Sequence, residues 1–304
     1  MTLLDRALVR LLPAVPKPVV QLFSARYIAG STLADAVRVV RRLNGEGKLA
    51  TIDVLGEEIT SEAEARAIAR AYCDVFAAIE REGLDSNVSV KLTGLGLELS
   101  YDLCRDNLET VLREAAANGN FVRIDMEDSS TTTETLRVYR ELLDSGYENV
   151  GIVVQAYLRR TLDDIRSLGD LRPNVRLCKG IYVEPPSIAY LDYEAVRANF
   201  VRCLDALHGI DAYTAIATHD EWLIQQALQR LGSGRRGDRY EFQMLLGVRE
   251  RRADELVRDG HPLRVYVPFG EHWYQYSLRR LQENPAMART IARSTVGRAL
   301  GRVD

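Results

Sequence analysis

Eight short runs of β-branched and other apolar residues recur along the chain, and each is followed by a longer amphipathic segment. Strands that are apolar on both faces are typical of a parallel sheet buried under helices, and a strand-then-helix order is typical of crossover units. Eight such units predict an α/β fold, a (β/α)₈ TIM-type barrel that closes its own sheet edges. The predicted strands are ATIDVLG (50–56), VSVKLTG (88–94), FVRIDME (121–127), VGIVVQAY (150–157), VRLCKG (175–180), YTAIATH (213–219), YEFQMLLG (240–247) and RVYVPFG (264–270).

The segment before the first strand is expected to be an N-terminal helical arm over residues 1–48. Its proline-rich stretch LLPAVPKPVV separates two predicted helices, because proline interrupts a helix. A third helix is predicted near residues 32–43. The rest of the chain, residues 49–304, is then a single catalytic barrel.

Composition and spacing exclude several classes of protein. The net charge of −3 argues against a dedicated nucleic-acid partner, whose binding needs an excess of positive charge. The four cysteines and four histidines show no spacing typical of a metal site or a disulfide framework, so free thiols in a reducing cytoplasm are expected. No apolar run approaches the roughly 18 residues of a membrane span. We expect a cytoplasmic protein, at most peripheral to the inner face of the cell membrane.

Polar residues collect at the predicted C-terminal ends of the strands, which is where the reactive groups of such barrels lie. Any single one of them has an alternative interpretation, because it can seal the barrel rim or pair with a neighbour. Their convergence on one rim predicts a site. These residues are Asp53, Lys91, Asp125, Glu127, Gln155, Arg176, Lys179, His219, Asp220, Gln243 and Tyr266.

The strand-end strings, taken in order, form a recognisable pattern: VKLTGLG, RIDMEDS, VQAYLRR, RLCKGIYVE, ATHD, EFQMLLG and VYVPFGEHWYQYSLRRLQEN. Over residues 48–284 the sequence resembles the proline dehydrogenase family, including the pattern YxxRRxxE of Tyr276, Arg279, Arg280 and Glu283. The resemblance implies a flavoenzyme with FAD at the barrel mouth that oxidises L-proline to Δ1-pyrroline-5-carboxylate and passes electrons to a membrane quinone. The short chain resembles the monofunctional bacterial form.

The resemblance assigns the substrate carboxylate to Arg279 and Arg280, whose guanidinium groups suit planar, bidentate recognition. Tyr276 lies three and four residues earlier, on the same face of a helix, and would supply an aromatic wall. The alternative is a solvated helix face in which Arg279 and Glu283 form an i,i+4 salt bridge. Gly270, just before this segment, is a predicted hinge.

Further substrate contacts are expected from the barrel itself. Lys91, at the end of the second strand, would be a third carboxylate contact, because a buried ammonium needs an anion. An internal ion pair with Asp125 is the alternative. Tyr266 and Leu245 would complete an apolar box around the pyrrolidine ring. Asp125 and bulk solvent are both candidates for accepting the amine proton.

The resemblance places Arg176 near the flavin N5 region, where a fixed cation tunes the ring. The alternative is a buried ion pair of Arg176 with Glu127 or Asp125. Strand alternation puts Arg176 and Cys178 on one face and Lys179 on the other, although alternation loosens at a strand end. The cofactor contacts that the resemblance implies are Met126, Gln155, Arg176, Lys179, Gly180, Ile181, Thr218, His219 and Glu283.

Two other functions compete with the oxidoreductase. A Schiff-base lyase or aldolase would use Lys91 or Lys179 as its nucleophile on a barrel strand. A non-catalytic binding barrel would leave the polar rim unexplained.

Overall fold

The structure is a computed structural model that describes residues 26–56, 59–231, 239–274 and 277. Helices and strands alternate along these residues. The helices are α1 (Leu33–Gly45), α2 (Glu62–Glu82), α3 (Tyr101–Ala117), α4 (Thr132–Asp144), α5 (Thr161–Ser167), α6 (Tyr193–Gly209), α7 (Glu221–Leu231) and α8 (Glu250–Arg258). The strands are β1 (Leu49–Val54), β2 (Ser86–Val90), β3 (Val122–Ile124), β4 (Val150–Gln155), β5 (Asn174–Cys178), β6 (Tyr213–Ala217), β7 (Tyr240–Leu245) and β8 (Leu263–Phe269).

The strands form a closed parallel barrel in the order β1 to β8, and β1 pairs with β8 to complete the ring. This confirms the predicted (β/α)₈ barrel. All eight predicted strands run past the observed C-terminal ends, by one to four residues; β3, for example, ends at Ile124. Lys91 therefore follows β2 rather than ending it, because its carbonyl accepts the amide of Leu95 in a turn.

The first described helix, α1, confirms the helix predicted near residues 32–43. Thr32 and Asp35 form a capping box, in which the Thr32 hydroxyl accepts the Asp35 amide and the Asp35 carboxylate accepts the Thr32 amide. The buried face of α1 packs against β1 and β8. The two earlier helices of the predicted arm lie outside the described residues.

The inside of the barrel is more polar than the sequence pattern predicts. Side chains two residues apart share a strand face, so Glu241 and Gln243 of β7 both point inward, as do Arg264 and Tyr266 of β8. At the N-terminal level Arg264 pairs with Glu241 at 2.9 Å. Arg123, 2% exposed, donates to the carbonyl of residue 174 at 2.7 Å. This polar layer closes the barrel below the site.

The described helices include none with both the length and the hydrophobicity that crossing a membrane requires.

Candidate active site

A cavity of about 290 Å³ opens at the C-terminal ends of the strands. All twelve predicted site residues that the structure describes line this one cavity. They are Lys91, Asp125, Met126, Gln155, Arg176, Lys179, Gly180, Ile181, Thr218, His219, Leu245 and Tyr266. The other four predicted site residues, Tyr276, Arg279, Arg280 and Glu283, lie outside the described residues.

Asp125 is the centre of a hydrogen-bond network on the cavity floor. Its Oδ1 accepts Nη1 of Arg176 at 2.6 Å and Oγ of Ser89 at 3.0 Å. Its Oδ2 accepts the hydroxyl of Tyr266 at 2.8 Å. Arg176 also donates to the Ser89 hydroxyl at 3.0 Å, which leaves the serine proton for Asp125. The Arg176–Asp125 pair considered in the sequence is therefore present, within the cavity wall.

Glu127, the other carboxylate considered for Arg176, has a different role. It accepts the backbone amide of Thr93 at 3.0 Å and also the Thr93 hydroxyl. Glu127 thereby fastens the turn that follows β2. Ser89, which the sequence analysis missed, is the third member of the Arg176 and Asp125 cluster. Its signal is strand alternation, because Ser89 lies two residues before Lys91 on the inward face.

Lys91 has Asp53 as its main partner, at 2.8 Å from both carboxylate oxygens. The Asp125 carboxylate is farther away, at 3.9 Å, and the Lys91 ammonium also donates to the Tyr266 hydroxyl at 3.2 Å. The sequence placed Asp53 at the rim but did not pair it with Lys91. Strand register explains the pairing, because Asp53 of β1 lies beside Ser89 of β2.

Tyr266 and His219 are fixed by their neighbours. The Tyr266 ring centroid lies 5.9 Å from the Lys91 ammonium and 5.4 Å from the Arg176 guanidinium, within reach of cation–π attraction. The backbone amide of Leu245 donates to Nε2 of His219 at 2.9 Å. Because an amide only donates, Nε2 carries no proton in this contact, and His219 acts there as an acceptor.

Lys179 lines the same cavity as Arg176, although strand alternation placed it on the opposite face. The physical reason is that β5 ends at Cys178 and the chain then turns through Gly180, whose φ is +104°. The Lys179 ammonium reaches the carboxylate of Asp220 at 3.3 Å. The Tyr193 ring centroid lies 4.9 Å from the same ammonium.

Asp220 is a second carboxylate held by several donors. Arg197 donates to both of its oxygens, at 2.9 and 2.8 Å, and the Tyr193 hydroxyl donates at 2.6 Å. Burial raises the pKa of Asp220, but these hydrogen bonds and the charge of Lys179 outweigh burial, so the pKa lies well below its usual range. Asp220 is therefore a carboxylate at neutral pH, and together with Glu194, which pairs with Arg197 at 2.9 Å, it balances the charges of Lys179 and Arg197.

One polar atom of the cavity wall has no hydrogen-bond partner within the described residues, and one backbone position leaves no room for a side chain. The amide nitrogen of Gln155 donates to the carbonyl of Glu127 at 2.6 Å, whereas its buried Oε1 has no hydrogen-bond partner in the described part of the chain. A Cβ added to Gly180 would lie 2.0 Å from Cδ1 of Tyr157. The wall thus presents an acceptor that lacks a donor, next to a backbone position that only glycine fits.

The family model for proline dehydrogenase matches residues 36–293. The chain belongs to the proline dehydrogenase family. It is 41% identical to proline dehydrogenase 1 of Bacillus subtilis subsp. natto over 269 residues, which cover 88% of this chain and 89% of that protein. It is 37% identical to a proline dehydrogenase of Deinococcus radiodurans, with 86% of each chain covered. The chain therefore resembles relatives of similar length.

Longer proteins share the same barrel. The bifunctional protein PutA of Escherichia coli is 26% identical over 93% of this chain but only 25% of its own length. The solved structure of proline utilization A from Bdellovibrio bacteriovorus, inactivated by N-propargylglycine, matches with a TM-score of 0.82 and 26% identity, over 91% of this chain and 36% of that one. Membership of this family makes the chain an enzyme and favours an oxidoreductase over a Schiff-base lyase.

Proposed function

We propose that this enzyme oxidises L-proline to Δ1-pyrroline-5-carboxylate with FAD bound at the barrel mouth, and that a quinone takes up the electrons. The observation that carries the proposal is one cavity, which gathers the residues expected to contact substrate and cofactor from the ends of seven strands, β2 to β8. Residues 49–304 are the proposed catalytic barrel and residues 1–48 its arm. We assign the enzyme to the cytoplasm, in peripheral contact with the membrane that holds the quinone.

The cavity wall fits a flavin. A flavin ring carries both N–H donors and carbonyl acceptors along its edge, and the buried Oε1 of Gln155 is an acceptor that requires a donor. Gly180 also lines the cavity, and the lack of a Cβ there lets the backbone pack against the ring of Tyr157 behind the wall. Bound FAD supplies the hydride acceptor, and the protein supplies orientation and charge. Gln155, Lys179, Gly180, Thr218 and His219 are the residues proposed to hold it.

The charges of the described wall are balanced before any ligand binds. Lys91 faces Asp53, Arg176 faces Asp125, and Lys179 faces Asp220. The described part of the wall therefore brings no surplus positive charge to a substrate carboxylate. A buried anion needs a cation of its own. This supports Arg279 and Arg280 as the residues that match the proline carboxylate, with Lys91 as an added hydrogen-bond donor.

The proton of the proline amine must leave before oxidation, because a neutral nitrogen lone pair is needed to form the C=N bond. Asp125 accepts three hydrogen bonds of 3.0 Å or less, from Arg176, Ser89 and Tyr266. Both of its carboxylate oxygens are therefore already engaged by donors of the cavity wall. We therefore assign the amine proton to solvent, and we assign Asp125 the role of holding Arg176 and Tyr266 in place. Tyr266 and Leu245 then bound the substrate ring.

The test is the absorbance of the purified protein combined with proline turnover. We expect a yellow protein with about one FAD per chain after extraction and chromatography, and reduction of an artificial electron acceptor when proline is added. A fully loaded sample that releases FMN would overturn the cofactor assignment. A colourless protein that borohydride inactivates in the presence of a carbonyl substrate would instead support the lyase.

A further inference from the structure

Asp53 is a fully buried carboxylate beneath the cavity floor. Its exposure is 0%, and it is not among the residues that line the cavity. Both of its oxygens lie 2.8 Å from the ammonium of Lys91, which does line the cavity. Lys91 is therefore the contact that links Asp53 to the cavity wall.

The position of Asp53 is itself fixed by Tyr72 of α2. The Tyr72 hydroxyl donates to Oδ1 of Asp53 at 3.3 Å and accepts the backbone amide of Val54 at 3.3 Å. Burial raises the pKa of Tyr72 well above its usual range, and the charge of Asp53 adds to this effect. Tyr72 therefore keeps its proton and remains a donor to Asp53.

The ammonium of Lys91 is oriented by this arrangement. Lysine has three N–H donors and no acceptor. Its three contacts here are the two Asp53 oxygens at 2.8 Å each and the Tyr266 hydroxyl at 3.2 Å, and the longer Tyr266 contact is the one that a substrate carboxylate would replace. Since the Tyr266 oxygen accepts from Lys91, its own proton is directed to Asp125. By orienting Lys91, the buried carboxylate of Asp53 sets the direction of the hydrogen bonds that run from Lys91 to Tyr266 and from Tyr266 to Asp125.

We propose that Asp53 is a positioning residue that holds the Lys91 ammonium at the cavity wall and thereby sets the affinity for the substrate carboxylate. The inference rests on the proposed function, in which Lys91 donates to that carboxylate. Because the carboxylate does not change during the reaction, Lys91 contacts it equally in the ground state and the transition state. Such uniform binding affects KM rather than kcat.

The first experiment compares Asp53→Asn with a matched control. Asparagine keeps the shape and an oxygen for Tyr72 but removes the charge that faces Lys91. We expect KM for proline to rise about tenfold to a hundredfold, the range for losing a charge-assisted contact, with kcat changed less than about threefold. The control is Asp254→Asn, which removes a carboxylate 2.6 Å from the ammonium of Lys48, just before β1 and far from the cavity end of the barrel. In this variant KM for proline should stay unchanged. A wild-type KM in Asp53→Asn would overturn the inference.

The second experiment asks whether Asp53 acts through Lys91. We would measure binding of tetrahydrofuran-2-carboxylate, a proline-like acid without an oxidisable amine, by calorimetry on loaded Lys91→Met and Lys91→Met/Asp53→Asn enzymes. The double variant leaves no unpaired charge in the pair, so it should fold even if Asp53→Asn alone does not. Equal affinities in the two variants would support the inference. A further tenfold loss in the double variant would overturn it, because Asp53 would then act without Lys91.

Measurements on the wild-type enzyme distinguish a failure of the proposed function from a failure of the role proposed for Asp53. If it neither oxidises proline nor binds tetrahydrofuran-2-carboxylate, the proposed function fails. If it does both and Asp53→Asn binds the acid as tightly as wild type, only the role of Asp53 fails.

Discussion

Replacing Gly180 with alanine tests how closely the backbone after β5, which lines the cavity, packs against the ring of Tyr157. Gly180 has a φ of +104°, in the region that favours glycine. An alanine Cβ would lie 2.0 Å from Cδ1 and 2.4 Å from Cε1 of Tyr157. Tyr157 is 6% exposed and packs with Leu158 and Ala189, so its ring has no solvent-filled space to move into.

The cost has two parts. The backbone strain of a non-glycine residue at such a φ is about 1–3 kcal/mol. Crowding a packed side chain adds about 1–3 kcal/mol. We therefore expect Gly180→Ala to lower the free energy of unfolding by about 2–6 kcal/mol. Gly146 is the matched control, because its φ is +89° but an added Cβ would meet nothing within 4 Å. In Gly146→Ala the free energy of unfolding should fall only by the backbone strain, about 1–3 kcal/mol.

The assay is urea unfolding of flavin-free protein, together with the ratio of flavin to protein absorbance after desalting. Flavin must be removed for the unfolding measurement because a bound ligand adds its own stabilisation. We expect Gly180→Ala to be less stable than Gly146→Ala by about 1–3 kcal/mol and to retain less flavin. Equal stability and equal flavin content in the two variants would refute the argument from close approach.

Three further predictions concern charged residues. Arg279→Met or Arg280→Met should raise KM for proline about tenfold to a hundredfold while FAD stays bound, since each loses a charge-assisted contact. The control Arg251→Met, which changes another Arg-Arg pair, should leave KM for proline unchanged. Unchanged proline kinetics in both Arg279→Met and Arg280→Met would reject their assignment to the substrate carboxylate. Saturating tetrahydrofuran-2-carboxylate should slow amide hydrogen exchange over residues 271–284, because a bound carboxylate favours closure of this segment; equal exchange would show that it does not close. Asp220→Asn should lower the free energy of unfolding at pH 7 by about 2 kcal/mol. Because folding lowers the pKa of Asp220, the difference in free energy of unfolding between wild type and Asp220→Asn should shrink below about pH 4. A difference that stays constant with pH would contradict this prediction.

The order of strands and helices could be predicted from the sequence because its signals are local. Strand and helix are distinguished by the spacing of apolar residues within one segment, and α1 begins where Thr32 and Asp35 make a capping box three residues apart. The exact strand ends could not be predicted. β3 stops at Ile124 although the predicted strand runs to residue 127, because the chain leaves the sheet at the barrel mouth.

The location of the site also follows from the sequence, since the C-terminal ends of parallel strands meet on one face of a barrel. The sequence does not reveal which side chain each charged residue pairs with. Asp53 and Lys91 are 38 residues apart, Asp125 and Arg176 are 51 apart, and Asp125 and Tyr266 are 141 apart. Strand register and ring closure decide which side chains become neighbours, and neither is encoded in the spacing of residues along one segment. The sequence determined that charges gather at the rim, and only the closed barrel determined that Asp53, rather than Asp125, is the main partner of Lys91.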